Sequence, residues 1–239
     1  MSHDPYVSSR RHFLKRSLSL IPLAAASGSL LAHEALAAER KSESVTEHYV
    51  PAFFNNDEWR AVIAITDRLI PEDELGPGAV SEGVPIFIDK QMELPYGYGH
   101  LWYMQGPFAN AEPELGYQSS SVPRETWRRG IRGLNQWCHE QHNAEFSQLP
   151  SETQDAILQK LEEGTVNFHD ISGTLFFTQV LENTKEGYLA DPLHGGNQTL
   201  ASWKLIGYPG ARADYPQVLD HPNQPYPLGP VSISGKRIV

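Results

Sequence analysis

The chain has 239 residues, with 19 basic and 29 acidic side chains and a formal net charge of −10. That balance argues against nucleic acid or anionic lipid as a partner, since both select basic surfaces. The length fits one domain able to bury a substantial core. A lone cysteine, Cys138, excludes a thiolate-ligated iron–sulfur cluster or a cysteine-rich zinc site.

The first element in chain order is "SRRHFLKRSLSL", Ser9 to Leu20. Ser9, Arg10, Arg11, Phe13, Leu14 and Lys15 match the Ser-Arg-Arg-x-Phe-Leu-Lys pattern of the twin-arginine (Tat) export signal. A basic stretch ends near Arg16, a mildly apolar run covers Leu18 to Ala32, and "ALA" at 35–37 offers cleavage after Ala37. A bilayer-spanning helix needs roughly 20 mainly apolar residues, and this run is shorter and diluted by Ser, Gly and Pro22. Residues 1–37 are therefore expected to be a Tat signal segment, and 38–239 a mature domain with an extended C-terminal tail. Without residues 1–37, 15 basic and 27 acidic side chains remain, a balance of −12. The Tat route carries proteins that fold before crossing, usually around a cofactor. The expected location is the periplasm.

The mature chain reads as helices and loops, with little strand-type alternation. Asn56 is placed to cap a helix from Asp57, with Trp59, Val62, Ile63, Thr66, Leu69 and Ile70 facing inward, until Pro71 stops it. Pro85 suits the first turn of a second helix whose apolar side is Phe87, Ile88 and Met92. From Pro123 to about Phe146, apolar residues recur at Trp127, Ile131, Leu134 and Cys138, with Phe146 a further candidate. Ser151 with Gln154 forms the pattern of a capping box, opening a helix through Ile157, Leu158 and Leu161 that ends at Gly164. A last long helix runs from about Ser172 to Leu189 with Phe176, Phe177, Val180, Leu181 and Tyr188. The fold class expected is all-α: one irregular helical domain with long Gly-, Pro- and aromatic-rich loops.

Two segments do not read as helix. One is "LPYGYGHLWYMQGPF", Leu94 to Phe108, and the other "ADPLHGGNQTLASWKLIGYPGARADY", Ala190 to Tyr215. Long ordered loops of this kind are often functional, and aromatic residues and Met are enriched at protein interfaces. Catalytic motifs are missing. There is no Cys-x-x-Cys-His, no Walker loop and no Gly-x-Ser-x-Gly elbow, and the Gly76-Pro77-Gly78 and Gly97-Tyr98-Gly99 runs read as turns. "CHEQH", Cys138 to His142, lacks the His-Glu-x-x-His spacing, so His139 and His142 read as an exposed helix face. A self-contained exported enzyme or sugar-binding protein would have to use the loop aromatics with Asp191, His194 or Asp214. Cys138 has two readings, a buried free thiol or half of an intermolecular disulfide.

The blocks "LIP…GPGA", "WYMQGPF", "DPLHGGN" and "WKLIGYPGARADY", in that order from about Asn55 to Tyr215, resemble the gluconate 2-dehydrogenase subunit 3 family. The resemblance implies the small subunit of a membrane-bound sugar or sugar-acid dehydrogenase, itself without catalytic residues, metal or cofactor. The implied partners are a large FAD-dependent flavoprotein of the glucose–methanol–choline type and a multihaem cytochrome c. FAD and haem c would then belong to those subunits. The small subunit would carry the folded flavoprotein to the Tat translocase, and the complex would sit peripherally on the inner membrane. On this reading Trp102, Tyr103, Met104, Gln105 and Phe108, with Trp203, Lys204 and Tyr208, are candidates for the partner interface, and Cys138 for an inter-subunit disulfide.

Overall fold

A computed structural model describes residues 46, 48–108, 117, 119–216, 221, 224 and 226–237. The export signal, with Ser9 to Lys15, and the cleavage position Ala37 lie outside the described residues. Six α-helices follow in order: α1 (Asn56–Leu69), α2 (Val84–Glu93), α3 (Pro123–His142), α4 (Ser151–Glu162), α5 (Gly173–Leu189) and α6 (Ala201–Ile206). Short 3₁₀ turns cover Phe146–Gln148 and Pro192–His194. Among the described residues there are only isolated β-bridges and no strand, so the domain is all-α.

The cap of α1 is Asn55, one residue before the expected Asn56. Asn55 Oδ1 accepts from the backbone N–H groups of Asp57 (3.0 Å) and Glu58 (2.9 Å), and Glu58 Oε2 accepts from the Asn55 N–H (3.0 Å). This reciprocal box satisfies donors that a helix start leaves orphaned. The inward stripe of α1 is Trp59, Ala61, Val62, Ile65 and Thr66, while Ile63, Leu69 and Ile70 are half-buried. The box expected at Ser151 is absent. Pro150 holds the cap position, and Gln154 instead donates from Nε2 to the Phe146 carbonyl at 2.8 Å, tying α4 to the turn before it. Gly164 follows α4 with φ +70°, the left-handed conformation that ends a helix.

Helix α5 packs on each of the other five helices. Its surface accordingly combines apolar anchors, Phe176, Phe177, Val180 and Leu181, with small residues where a neighbour comes close. A Cβ at Gly187 would stand 2.8 Å from the Phe87 ring of α2. From α3, Gly130 meets α5 in the same way, since a Cβ there would lie 2.0 Å from the Phe176 ring. Cys138 sits on the buried face of α3 with Trp127, Ile131 and Leu134. Arg68 of α1 grips Asp155 of α4 with two N–H groups, at 3.0 and 3.2 Å. None of the described helices is long and apolar enough to cross a membrane.

The segment Ala190–Tyr215, expected to be loop, contains α6 and the Pro192–His194 turn. Six residues are too few to show a helical period, and the flanking Leu200 and Gly207 both adopt positive φ.

Candidate docking surface and the clamps behind it

Three buried carboxylates organise the loops. Asp89, on the buried face of α2, accepts at Oδ1 from the N–H groups of Phe53 (3.0 Å) and Phe54 (3.1 Å). At Oδ2 it accepts from Ala52 N–H and the Tyr49 hydroxyl, both 2.8 Å. The run before α1 is thereby fixed onto α2. Burial, and after it the hydrogen bond to Asp89, pushes the Tyr49 hydroxyl well above the usual phenol range.

Glu82 is fully buried and accepts from Thr199 Oγ1 (2.5 Å) and Thr199 N–H (2.9 Å), while its own carbonyl accepts from Gln198 N–H (3.2 Å). Asp191 accepts from Leu193 N–H (3.0 Å) and, 42 residues along the chain, from Ile233 N–H (2.7 Å). The block "DPLHGGN" also needs its glycines for contact. A Cβ at Gly196 would fall 2.0 Å from the Gly187 carbonyl oxygen, and one at Gly83 would fall 2.6 Å from that of Gly195. These carboxylates are therefore architectural, because their oxygens are occupied by the chain's own N–H and O–H groups. Asp191 is engaged in this way, while His194 and Asp214 are exposed.

The segment Leu94–Phe108 stands on a polar network. Tyr96 Oη accepts from Gln179 Nε2 (2.6 Å) and Asn183 Nδ2 (2.7 Å), both on α5. Asn183 Oδ1 in turn accepts from Trp127 Nε1 (2.9 Å) and Gln179 Nε2 (2.9 Å). Burial is the main cause that pushes the Tyr96 hydroxyl up to about 12. Trp102 is half-buried, with ring centroids 5.6 Å from Tyr96 and 4.5 Å from Tyr117. Met104 is half-buried as well. Tyr103 is 82 % exposed, and Gln105 and Phe108 are exposed, as are Tyr98 and Leu101. The loop thus has a fixed root and an apolar outer surface.

The second candidate segment is divided. Trp203 is 5 % exposed and belongs to the packed body, donating from Nε1 to the Leu189 carbonyl at 2.7 Å. Tyr208 packs its ring edge-on against Trp203 at 4.9 Å and remains exposed, as do Lys204 and Ile206. Cys138 is fully buried, and burial pushes its thiol up to about 12. A disulfide needs partner Cα atoms about 4.4–6.8 Å apart, and the space around Cys138 is filled by this chain's own core. His139 and His142 are exposed, and His142 lies 5.8 Å from the Trp137 ring. Among the described residues no group of three or more His, Cys, Asp or Glu is arranged to hold a metal ion.

Arg124, Arg128, Arg129 and Arg132 of α3 line an open groove of about 480 Å³ together with Phe53, Tyr98, Val122 and Glu125. Arg124 lies over the Tyr98 ring at 4.0 Å and the Phe53 ring at 4.7 Å, and Arg128 lies over Phe53 at 4.2 Å. The i, i+4, i+8 spacing of Arg124, Arg128 and Arg132 was visible in the sequence. The rings against Arg124 and Arg128 come from distant parts of the chain, so the groove was not.

No curated protein and no solved structure matches this chain. The family model for gluconate 2-dehydrogenase subunit 3 matches residues 56–210, from the start of α1 to Gly210, beyond the end of α6. That match covers the helices, the three buried carboxylates and the aromatic loop, and the chain belongs to the gluconate 2-dehydrogenase subunit 3 family.

Proposed function

We propose that this chain is the non-catalytic small subunit of a periplasmic FAD-dependent sugar or sugar-acid dehydrogenase complex, of the gluconate, fructose, sorbitol or glucose type. Its task is to bind the folded flavoprotein, stabilise it and take it through the Tat translocase. FAD and haem c reside in the partners, a glucose–methanol–choline-type flavoprotein and a multihaem cytochrome c, and the complex associates peripherally with the inner membrane.

The observation that carries this reading is the contrast between the family's motif blocks and the chain's surface. The acidic groups within the matched region that are buried, Glu82, Asp89 and Asp191, are bound by the chain's own N–H and O–H groups. The apolar groups left outside, Tyr103, Phe108, Leu101 and Tyr98, stand on a rigid base. That is the anatomy of a binding protein: aromatic anchors on a preorganised scaffold. A permanent complex of this kind buries more than about 2,000 Å² in total.

The test is Arg10→Lys with Arg11→Lys. Charge is kept but the planar guanidinium pair is lost, and the two residue types are not interchangeable where a fork is read. The flavoprotein, as well as this chain, should then remain in the cytoplasm. Normal periplasmic dehydrogenase activity in the double variant would refute the escort role.

A further inference from the structure

The arginine groove is strongly cationic, within a chain whose net charge is −10. Phe53 and Tyr98 lie against the faces of Arg124 and Arg128, which leaves guanidinium N–H edges to point outward. The carboxylates this chain itself offers fit them poorly. Glu125 approaches Arg129 no closer than 3.5 Å and Glu58 approaches Arg128 no closer than 3.7 Å. A charge-assisted N–H···O bond measures about 2.7–2.9 Å. Arg124 reaches Glu93 at 3.2 Å, Arg128 donates to the Phe53 carbonyl at 2.9 Å and Arg129 to the Ser121 hydroxyl at 3.3 Å, while Arg129 and Arg132 both help to hold the Asp170 carboxyl below its usual range. Arg124 and Arg128 are thus held by ring faces, and each guanidinium group, with five N–H donors, keeps donors to spare.

We propose that this groove seats an acidic segment of the flavoprotein subunit, one that presents two or more Asp or Glu carboxylates in extended conformation. The proposal rests on the small-subunit reading above and adds the chemistry of the contact. Charge complementarity argues for the occupant: on a chain of net charge −10, a localised arginine stripe is where a partner's carboxylates are attracted and not repelled. Tyr98 joins the two parts of the surface, since it stacks under Arg124 and belongs to the aromatic segment that carries Tyr103 and Phe108. Apolar anchors then supply the buried centre and the arginines the oriented, salt-sensitive part of one interface.

The experiment uses the full chain co-expressed with its flavoprotein, with affinity measured across a series of salt concentrations. Arg129→Glu with Arg132→Glu removes the two guanidinium groups least tied to the fold, and Arg132→Glu alone is the milder control. The expected result is affinity weakened by about tenfold or more for the pair, with a flatter salt dependence and an unchanged melting temperature. Arg132→Lys places an amine in the groove, and carbodiimide should couple it to an Asp or Glu of the flavoprotein, identified by mass spectrometry. Unchanged affinity and salt dependence in both variants would overturn the proposal while leaving the subunit reading intact. So would coupling only to Glu58, Glu93 or Glu125 of the same chain. Loss of flavoprotein binding by millimolar free gluconate would overturn it in favour of a small-carboxylate site. A wild-type chain that retains no flavoprotein would refute the subunit reading itself, and the proposal with it.

Discussion

Asp89→Ala removes the acceptor for three backbone N–H groups and one hydroxyl at a single stroke. The Ala52 N–H is on an exposed residue and can be rehydrated, but Phe53 and Phe54 are 5 % and 4 % exposed, so theirs cannot. Each buried donor left unpaired costs about 1–3 kcal/mol, which gives about 2–6 kcal/mol for the two. A domain of this size is stable by about 5–15 kcal/mol, so the variant should lose a large fraction of its stability. Tyr49→Phe deletes only the hydroxyl bond and should cost about 1 kcal/mol. Asp89→Asn keeps an acceptor for Phe53 and Phe54 but turns a donor toward Ala52 and Tyr49, and should fall between the two. Urea unfolding followed by tryptophan fluorescence reads this region, because Trp59 lies 5.5 Å from Tyr49 and Trp127 lies 5.6 Å from Phe54. The order Tyr49→Phe, Asp89→Asn, Asp89→Ala should appear as falling midpoints. A cost below about 1 kcal/mol for Asp89→Ala would refute the clamp, since it is smaller than one unpaired buried donor. Phe53 is also part of the arginine groove, so a loosened clamp should weaken partner binding in step with stability.

Gly130→Ala drives a methyl group into the Phe176 ring at the contact of α3 with α5 and should destabilise by about 1–3 kcal/mol or more, measured by the same unfolding assay. With its thiol pushed up to about 12, Cys138 is almost wholly protonated at pH 8, so a disulfide-forming thiol reagent should react only after denaturant opens the bundle. Non-reducing electrophoresis should correspondingly show the complex as separate chains. Tyr103→Ala should leave the unfolding midpoint unchanged and weaken co-purification with the flavoprotein. Trp203→Ala should cost about 3–5 kcal/mol through the core, whatever it does to binding.

The long elements were legible because their signals are local. Pro71 ends α1 beyond Ile70, the Trp127–Ile131–Leu134–Cys138 spacing marks α3, and Ser172 caps α5 by accepting from the Leu175 N–H. Local ambiguity explains the misplaced cap, where two asparagines stand side by side and only the three-residue spacing to Glu58 distinguishes Asn55. At Ser151 the pattern matched, but Gln154 found a better partner in the Phe146 carbonyl. The clamps were illegible for a different reason. A buried Asp89 or Glu82 looks like any helix-surface acid until distant N–H groups converge on it. Trp203 shows the same limit in reverse: an aromatic residue in a Gly-rich stretch reads as an anchor for a partner, yet its indole N–H is bound within the chain.

The central claim is that this chain's function lies in what it binds and brings along. The most direct measurement is to purify the chain under native conditions from cells that express it and determine the stoichiometry and flavin content of what accompanies it. The account predicts a larger chain in equimolar amount, with all of the FAD and all of the sugar-oxidising activity in that partner. A homogeneous preparation of this chain alone that carried flavin or turned over sugar would contradict it.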